Sequence, residues 1–409
     1  MRKLFSILLI LLLAMLVYIN LKLYYKPEIR VVENDSVPYD QLRQLHYLKD
    51  ALEAGKAEEM QQLYPEGFVF MQALCGLAWS DFARSVTPTS ALYREAHNEV
   101  GKCYKAIDSP EARSIFNENL SLPYGAFYTC WNNYLLGRKL ILEIPQRRNQ
   151  KDIEHFQEQC NAIAQVVRNG LTYPESYYGA AWPADIFPGI ASLRIHDQLF
   201  NPSYSTTIAQ WIGNVKALLD PHGLIPHAVY PVTGKPREDA RGSSQSLMLI
   251  FLKEIDPAFA KSQFDLYKKY FLIYRLGLPA LREYPMGATG LGDIDSGPVV
   301  FQAGAAASLV GMRTMACYNE RATACALRNS IEAFGFPLSR HGKKCYLLGA
   351  LPIADAFIAW SGIAVKPSIT RDASWRNQFH MYSCVITSIL LSLLTYTFRL
   401  WPFRKAKPE

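Results

Sequence analysis

Tyr124-Gly-Ala-Phe-Tyr-Thr-Cys-Trp-Asn-Asn-Tyr-Leu-Leu-Gly137 decides the fold class. Apolar and aromatic side chains fall on every side of a 3.6-residue period, so a helix here has no face to offer water and must be buried. Residues 151–169 follow, carrying apolar side chains three and four apart on one side and charges on the other, the pattern of a helix that covers a core. The same alternation recurs along the chain. Apolar segments begin near Gly76 (GLAWSDFA), Tyr124, Trp182 (WPADIFPGIASL), Gly242 (GSSQSLMLIFL), Gly297 (GPVVFQAGAAASLVGM) and Leu351 (LPIADAFIAWSG). Their starts lie about fifty to sixty residues apart, in the range of repeat architectures.

Covering helices are expected at residues 91–106, 151–169, 205–219, 257–274 and 320–334, with Asp256-Pro257 and Ser109-Pro110 as start signals. Strand signals are weak; the best is Gly223-Leu-Ile-Pro-His-Ala-Val-Tyr-Pro-Val-Thr-Gly234, a small hairpin in a long loop. Six alternations in an all-α chain suit an inner ring of helices inside an outer one, the (α/α)6 toroid. An irregular helical bundle satisfies the same pattern. In a toroid the loops before the inner helices gather at one mouth, together with inner helix N-termini that favour anions.

The two ends are read as membrane anchors. Residues 4–19 are nearly unbroken in apolar character behind Arg2 and Lys3, residues 4–23 just reach the length of a span, and no small-x-small cleavage site follows the run. Residues 382–398 form a second run, flanked by Arg399, Trp401, Arg404, Lys405 and Lys407, with Tyr396 and Trp401 as interfacial aromatics. A buried soluble helix is the alternative for this second run. The expected organisation is an anchor over 1–25, a body over 26–370, a second span over 380–400 and a basic cytoplasmic tail over 401–409. Both termini then share the cytoplasmic side, and the body lies outside the cytoplasm.

The formal charge of +7 is spread along the 409 residues without a basic–aromatic cluster, so nucleic acid is not an expected partner. None of the eight cysteines forms a C-x-x-C pair, which argues against a zinc ribbon or a redox motif. One or two disulfides fit an oxidising compartment; most of the thiols read as small core residues.

The stretch richest in chemistry is Glu283-Tyr-Pro-Met-Gly-Ala-Thr-Gly-Leu-Gly-Asp-Ile-Asp-Ser-Gly-Pro298. Asp295 and Ser296 are natural N-caps and Pro298 suits a first helical turn. Glu283 and Asp293 are then left over. The other positions ahead of inner helices add Glu175, Tyr177, Tyr178, Trp182 and Asp185, then His227, Glu238, Asp239 and Arg241, then Tyr284, and finally Asp355 and Trp360.

Each has a plainer reading. Asp185 can merely complement a helix N-terminus, and Asp295 can be only a cap. His227 can be a hydrogen-bonded core histidine, and residues 235–241 a solvated loop of mixed charge. Asp355, inside an apolar helix, must be paired structurally or face a central cavity. Tyr124, Tyr128, Trp131, Tyr177, Tyr178, Trp182, Tyr284 and Trp360 are placed at the mouth, where flat faces suit sugar rings or an isoprenoid chain; core packing explains many of them equally well.

The six-fold layout resembles the six-hairpin glycosidases and the linalool dehydratase-isomerase-like proteins. The stretch GLIPHAVYPVTGKPREDARGSSQS and the AWPAD and GDIDSGP segments resemble the second group more closely. The resemblance covers roughly residues 39–365 and implies a toroid; no family residue maps onto a matching motif here. No G-x-S-x-G elbow, Walker A or H-E-x-x-H occurs, and Gly287, Gly290 and Gly292 follow no strand of a dinucleotide fold. No cofactor or metal is expected, since the acidic spacing around Asp293 matches no EF-hand.

Two classes of function follow. The first is an enzyme in which Asp293 and Glu283, faced by Asp185 or Asp355, act as general acid and base on a glycan or a terpenoid-like alcohol. Tyr284, His227, Trp182, Tyr178, Arg241, Asp295 and Trp360 would position the substrate. The second is a membrane-held protein that binds a glycan or lipid-linked molecule without turning it over.

Overall fold

A computed structural model describes residues 2–366 and 374–399. The chain opens with α1 (Arg2–Lys22) and a hairpin, β1 (Ile29–Val32) and β2 (Asp35–Pro38). It continues through α2 (Tyr39–Glu53), α3 (Lys56–Leu63), α4 (Gly67–Ala83), α5 (Ala91–Ile107), α6 (Pro110–Arg113), α7 (Gly125–Leu142) and α8 (Gln150–Arg168). Then come α9 (Pro183–Leu199), α10 (Ser205–Ala217), α11 (Gly242–Ile255) and α12 (Pro257–Phe271). α13 (Ala305–Cys317), α14 (Arg321–Phe334), α15 (Pro352–Gly362) and α16 (Ser374–Arg399) complete the helices. Further antiparallel hairpins are β3–β4 (Ala228–Val229, Pro236–Glu238), β5–β6 (Leu272–Arg275, Leu278–Leu281), β7–β8 (Val299–Val300, Ala303–Gly304) and β9–β10 (Leu338–Arg340, Lys343–Cys345).

The protein is mostly helical, in two kinds of helix. α7 is buried on every side, whereas α8 buries only Phe156, Cys160, Ile163, Ala164, Val166 and Val167. The six apolar helices α4, α7, α9, α11, α13 and α15 pack against one another in chain order, and α15 returns to α4. α5, α8, α10, α12 and α14 each cover the apolar helix they follow. α2 covers α15, donating from Gln41 Nε2 to the Gly362 carbonyl at 2.7 Å, and supplies a sixth covering helix from the start of the chain. Side-chain caps start several of the outer helices: Ser90 accepts from the Tyr93 amide, Asn149 from Lys151, and Asp256 from Ala258 and Phe259, each worth about 1 kcal/mol.

Aromatic rings fill the middle of the inner helices. Phe70 stands edge-on to Phe127 and Trp131, with centroids at 4.8 and 5.4 Å, and lies 5.4 Å from Phe357. Trp131 meets Phe251 at 5.6 Å and Trp360 at 6.3 Å.

Two inner helices begin elsewhere than expected. α4 starts at Gly67, not Gly76, because Phe68, Val69 and Met71 already lie on its buried side. α13 starts at Ala305, not Gly297, because Gly297-Pro-Val-Val-Phe-Gln turns first through β7–β8, with Phe301 and Gln302 both at left-handed φ. Gly304, which has no side chain to cap with, therefore holds the N-cap position. α12 likewise ends at Phe271, where β-branched Ile273 and its neighbours pass into β5.

α1 and α16 are each long and apolar enough to cross a membrane, and little of either is buried. They lie antiparallel. Ser6 Oγ donates to Thr397 Oγ1 at 3.0 Å near one end, and Ser383 Oγ to Asn20 Oδ1 at 3.1 Å near the other. Their body ends share a small core of Ile19, Leu23, Leu278, Ala326, Ala333, Trp375 and Phe379. Asn329 Nδ2 on α14 donates to the carbonyls of Leu23 and Tyr25, at 2.9 and 3.1 Å. α16 begins at Ser374, ahead of the expected span; Trp401 and the basic tail lie outside the described residues. The eight cysteines are all unpaired thiols, so the disulfides allowed by composition do not form in this structure.

Candidate functional site

Loops from different repeats meet at the N-terminal ends of the inner helices, each satisfying a neighbour's backbone. The Ala126 amide at the start of α7 donates to the Glu175 carbonyl at 2.9 Å, Val229 to Ala181 at 3.1 Å, and Gly242 at the start of α11 to Glu283 at 2.8 Å. Gly125 makes the first of these approaches possible. Its φ is +80°, and a Cβ there would run into the Ser176 carbonyl.

One carboxylate group at this mouth gathers Glu66, Asp185 and Asp295. Asp185 stands in the first turn of α9, and its Oδ2 accepts from Ser176 Oγ at 2.5 Å. Burial, with Glu66 and Asp295 as like charges nearby, pushes its carboxyl up to about 7. Asp295 is also raised, first by desolvation and then by Glu66 and Asp293. Glu66, at the N-cap of α4, accepts from Tyr177 Oη at 2.6 Å. Tyr177 stands edge-on to Trp182 at 6.2 Å and stacks on Phe116 at 5.8 Å. Tyr178 beside it is 87% exposed, and Phe116 and Tyr124 border an open hollow of about 580 Å³ together with Arg113 and Asn117.

The adjoining group is built around Arg241. Its guanidinium pairs with Glu238 at 2.6 Å and with Asp293, and lies 5.4 Å from the centre of the Tyr284 ring. Asp293 was expected to be free because Asp295 or Ser296 would cap the fifth inner helix. Neither caps it. Asp293 Oδ1 instead accepts from the Ser296 amide and hydroxyl, at 2.9 and 2.8 Å, within their own loop. Desolvation is outweighed by the hydrogen bonds from Arg241 and Ser296 and by the Arg241 charge, which hold Asp293 down at about 2, ionised at neutral pH.

Glu283 is buried and closes the start of α11, accepting from Ser243 N at 3.2 Å and Ser243 Oγ at 2.7 Å. Burial pushes it up to about 7. Gly304 packs directly on its side chain, so Glu283 braces the loop. His227 Nδ1 shares a hydrogen bond with Ser244 Oγ, and desolvation followed by Arg241 lowers its ring to about 3, leaving a neutral, core-like imidazole.

Two expected mouth residues lie elsewhere. Trp360 is buried among Trp131 and Phe251, beneath the Arg313 guanidinium at 4.5 Å. Asp355 lies where α15 packs on α2: Oδ1 accepts from the Tyr346 amide at 2.8 Å, next to β10, while Oδ2 is buried without a partner. Burial raises it to about 8, so Asp355 is folded as the neutral acid. A carboxyl raised on folding binds its proton more tightly in the native state, so native stability falls as pH climbs from its unfolded value, near 4, through 8. Asp355→Asn is expected to flatten the decline in Tm between about pH 5 and pH 9, as linkage requires. Asp185 and Glu283 act with the same sign, so part of the slope remains. An unchanged slope in the variant would remove Asp355 from this role.

Residues overlooked in the sequence include Glu66 and Tyr64, whose hydroxyl is raised mainly by burial and then by Asp295. Towards the C-terminal ends of the apolar helices, Asp81 on α4 bridges Arg138 on α7 at 2.6 Å and Arg313 on α13 at 2.7 Å, forming a floor opposite the loops. Tyr134 Oη reaches Glu254 nearby at 3.0–3.1 Å. Single charges late in apolar segments were the available signal for this floor.

The mouth offers a carboxyl near neutrality, two further carboxylates close to it and a phenol aligned on one of them, an arrangement able to give and take protons. Among the described residues no group of three His, Cys, Asp or Glu side chains is placed to hold a metal ion. Compared with known proteins, the chain matches no family model and no curated protein.

Proposed function

We propose that the inner and outer helices form an (α/α)6 toroid, held outside the cytoplasm by α1 and α16, whose mouth cleaves a glycan by carboxylate acid–base chemistry. The closed succession of inner helices and the gathering of their N-terminal loops support the toroid. The layout resemblance to six-hairpin glycosidases supports the substrate class. The observation that carries the chemistry is Asp185, held near pH 7 beside Glu66 and Asp295.

Asp185 serves as the acid that protonates the leaving oxygen, with Ser176 fixing its Oδ2. Glu66, oriented by Tyr177, or Asp295 serves as the base or nucleophile. Tyr178, Trp182 and Tyr284 offer ring faces to the sugar, and the Arg241–Asp293 pair offers donors and acceptors to its hydroxyls. This reassigns the acid–base pair from Asp293 and Glu283, both committed to local structure.

Exposed Leu291 and Ile294 beside Asp293 and Asp295 favour a second reading, in which the same groups remove water from an amphiphilic, terpenoid-like alcohol. The test is product formation by the full chain in nanodiscs, on a panel of polysaccharides and on an isoprenoid alcohol. New reducing ends made by wild type and lost in Glu66→Gln would support hydrolysis; alkene product would support dehydration. Saturable glycan binding without product would establish the non-catalytic alternative.

A further inference from the structure

The exposed apolar side chains of the body are not scattered where the body meets α1 and α16. Leu276 at the β5–β6 turn is 49% exposed and Phe301 at the β7–β8 turn is 81% exposed, with Tyr274 and Val300 beside them. Phe336, Leu338 and Leu348 stand exposed between the end of α14 and the start of α15.

The two hairpin turns are bound together. Arg275 donates to the Phe301 carbonyl at 2.8 Å and to Gln302 Oε1 at 2.5 Å, and Arg282 donates to the same Gln302 oxygen at 2.6 Å. Leu276, Phe301, Phe336 and Leu348 all adopt left-handed φ, between 45° and 56°. Asn or Gly is the comfortable choice at such positions, and a bulky side chain there is strained. The hairpin turns at Glu33-Asn34 and His341-Gly342 have the same backbone sign but polar or small residues. At Leu276, Phe301, Phe336 and Leu348 the strained residue carries an exposed apolar side chain.

These residues continue the surface of the two apolar helices. Phe336 stacks on Tyr18 of α1 at 6.1 Å, and Tyr18 lies about one helical turn, or roughly 6 Å, inside that helix. Gly277, next to Leu276, packs so closely on Trp375 and Phe379 of α16 that a Cβ would collide with them.

We propose that residues 274–276, 300–301, 334–338 and 347–348 form a collar that sinks into the acyl-chain boundary of the bilayer around α1 and α16. The inference rests on the reading that these two helices span a membrane. Aromatic and aliphatic side chains at the end of a span suit this zone, whereas in water they would form an uncovered apolar patch. Because β6 and β7 bracket the loop carrying Asp293 and Asp295, the collar brings the mouth to the membrane surface. The favoured substrate is therefore one presented at that surface, a glycan or alcohol carried on a lipid.

The test uses the full chain in a Cys317→Ala, Cys325→Ala, Cys384→Ser background, which removes every native thiol that is not buried, with one new cysteine placed at Leu276, Phe301 or Leu348 and labelled with an environment-sensitive fluorophore. Leu11→Cys marks the membrane interior, and Ile144→Cys, just beyond the far end of α7, marks the floor. In phosphatidylcholine–phosphatidylglycerol vesicles containing nitroxide-bearing lipids, positions 276, 301 and 348 are expected to lose more than about half their fluorescence, as interfacial insertion requires. Ile144 should keep its signal. Quenching at Leu11 without quenching at 276, 301 and 348 would overturn the collar and leave the spans standing. No quenching at Leu11 would overturn both, and equal quenching at Ile144 would overturn the collar as a specific surface.

Discussion

Asp185→Asn is expected to lose turnover by at least about 100-fold, the low end for removing a general acid, while its melting temperature stays close to wild type. The amide keeps the carboxyl's shape and still accepts the Ser176 hydroxyl at the distance that Oδ2 now does. What disappears is the proton. Burial and the nearby charges of Glu66 and Asp295 place that proton near neutrality, so wild-type activity should fall as pH rises through about 7. The residual activity of the variant should lack that limb. If the variant melts far lower and keeps its activity per folded molecule, Asp185 is a helix-start carboxylate and nothing more.

A larger effect on stability is expected at the floor. Asp81→Ala leaves Arg138 and Arg313 facing each other without their shared counter-charge, both largely buried between inner helices. Removing one partner of such a group typically costs about 3–5 kcal/mol, because the desolvated charges remain. Denaturant unfolding of the full chain should show that loss. Replacing all three by apolar residues of similar size should restore much of it, since the desolvation cost disappears with the charges.

The pH dependence has a definite sign. Arg313 and Arg138 hold the Asp81 carboxyl below its usual value. Its contribution is therefore complete above the unfolded value, near 4, and is lost as pH falls through the folded one. Asp81→Ala should lose less than wild type does on acidification. A change below about 1 kcal/mol would class the floor with weak surface pairs.

The alternation of helix types was legible because burial on all sides and burial on one side leave different residue periods. α7 and α8 show both, and the caps at Ser109 and Asp256 mark starts through their own hydrogen bonds. The sixth covering helix was not paired in the sequence, because α2 meets α15 only after the chain has come round.

The start of α13 was hidden by a turn whose bulky Phe301 gives no composition signal for left-handed backbone. That shift cancelled the supposed cap at Asp295 and bound Asp293 into its own loop. Asp355 could be read as structurally paired or as facing a cavity, because a period alone does not say which buried side of α15 meets α2. Glu66 escaped notice because it sits in the Pro65–Gly67 turn, ahead of a helix read as starting at Gly76. Proximity between Glu66, Asp185 and Asp295 joins three repeats, and no local pattern encodes it.

The most direct test of the acid–base mouth needs no substrate. Infrared difference spectra of the full chain between about pH 5.5 and pH 8.5 bracket a carboxyl that titrates near neutrality. Wild type should show loss of protonated-carboxyl absorption across this interval, and Asp185→Asn should lack one component of that change while retaining those from Glu283 and Asp355. Identical difference spectra for the two proteins would show that Asp185 carries no proton near neutrality and would contradict the acid–base account of the mouth.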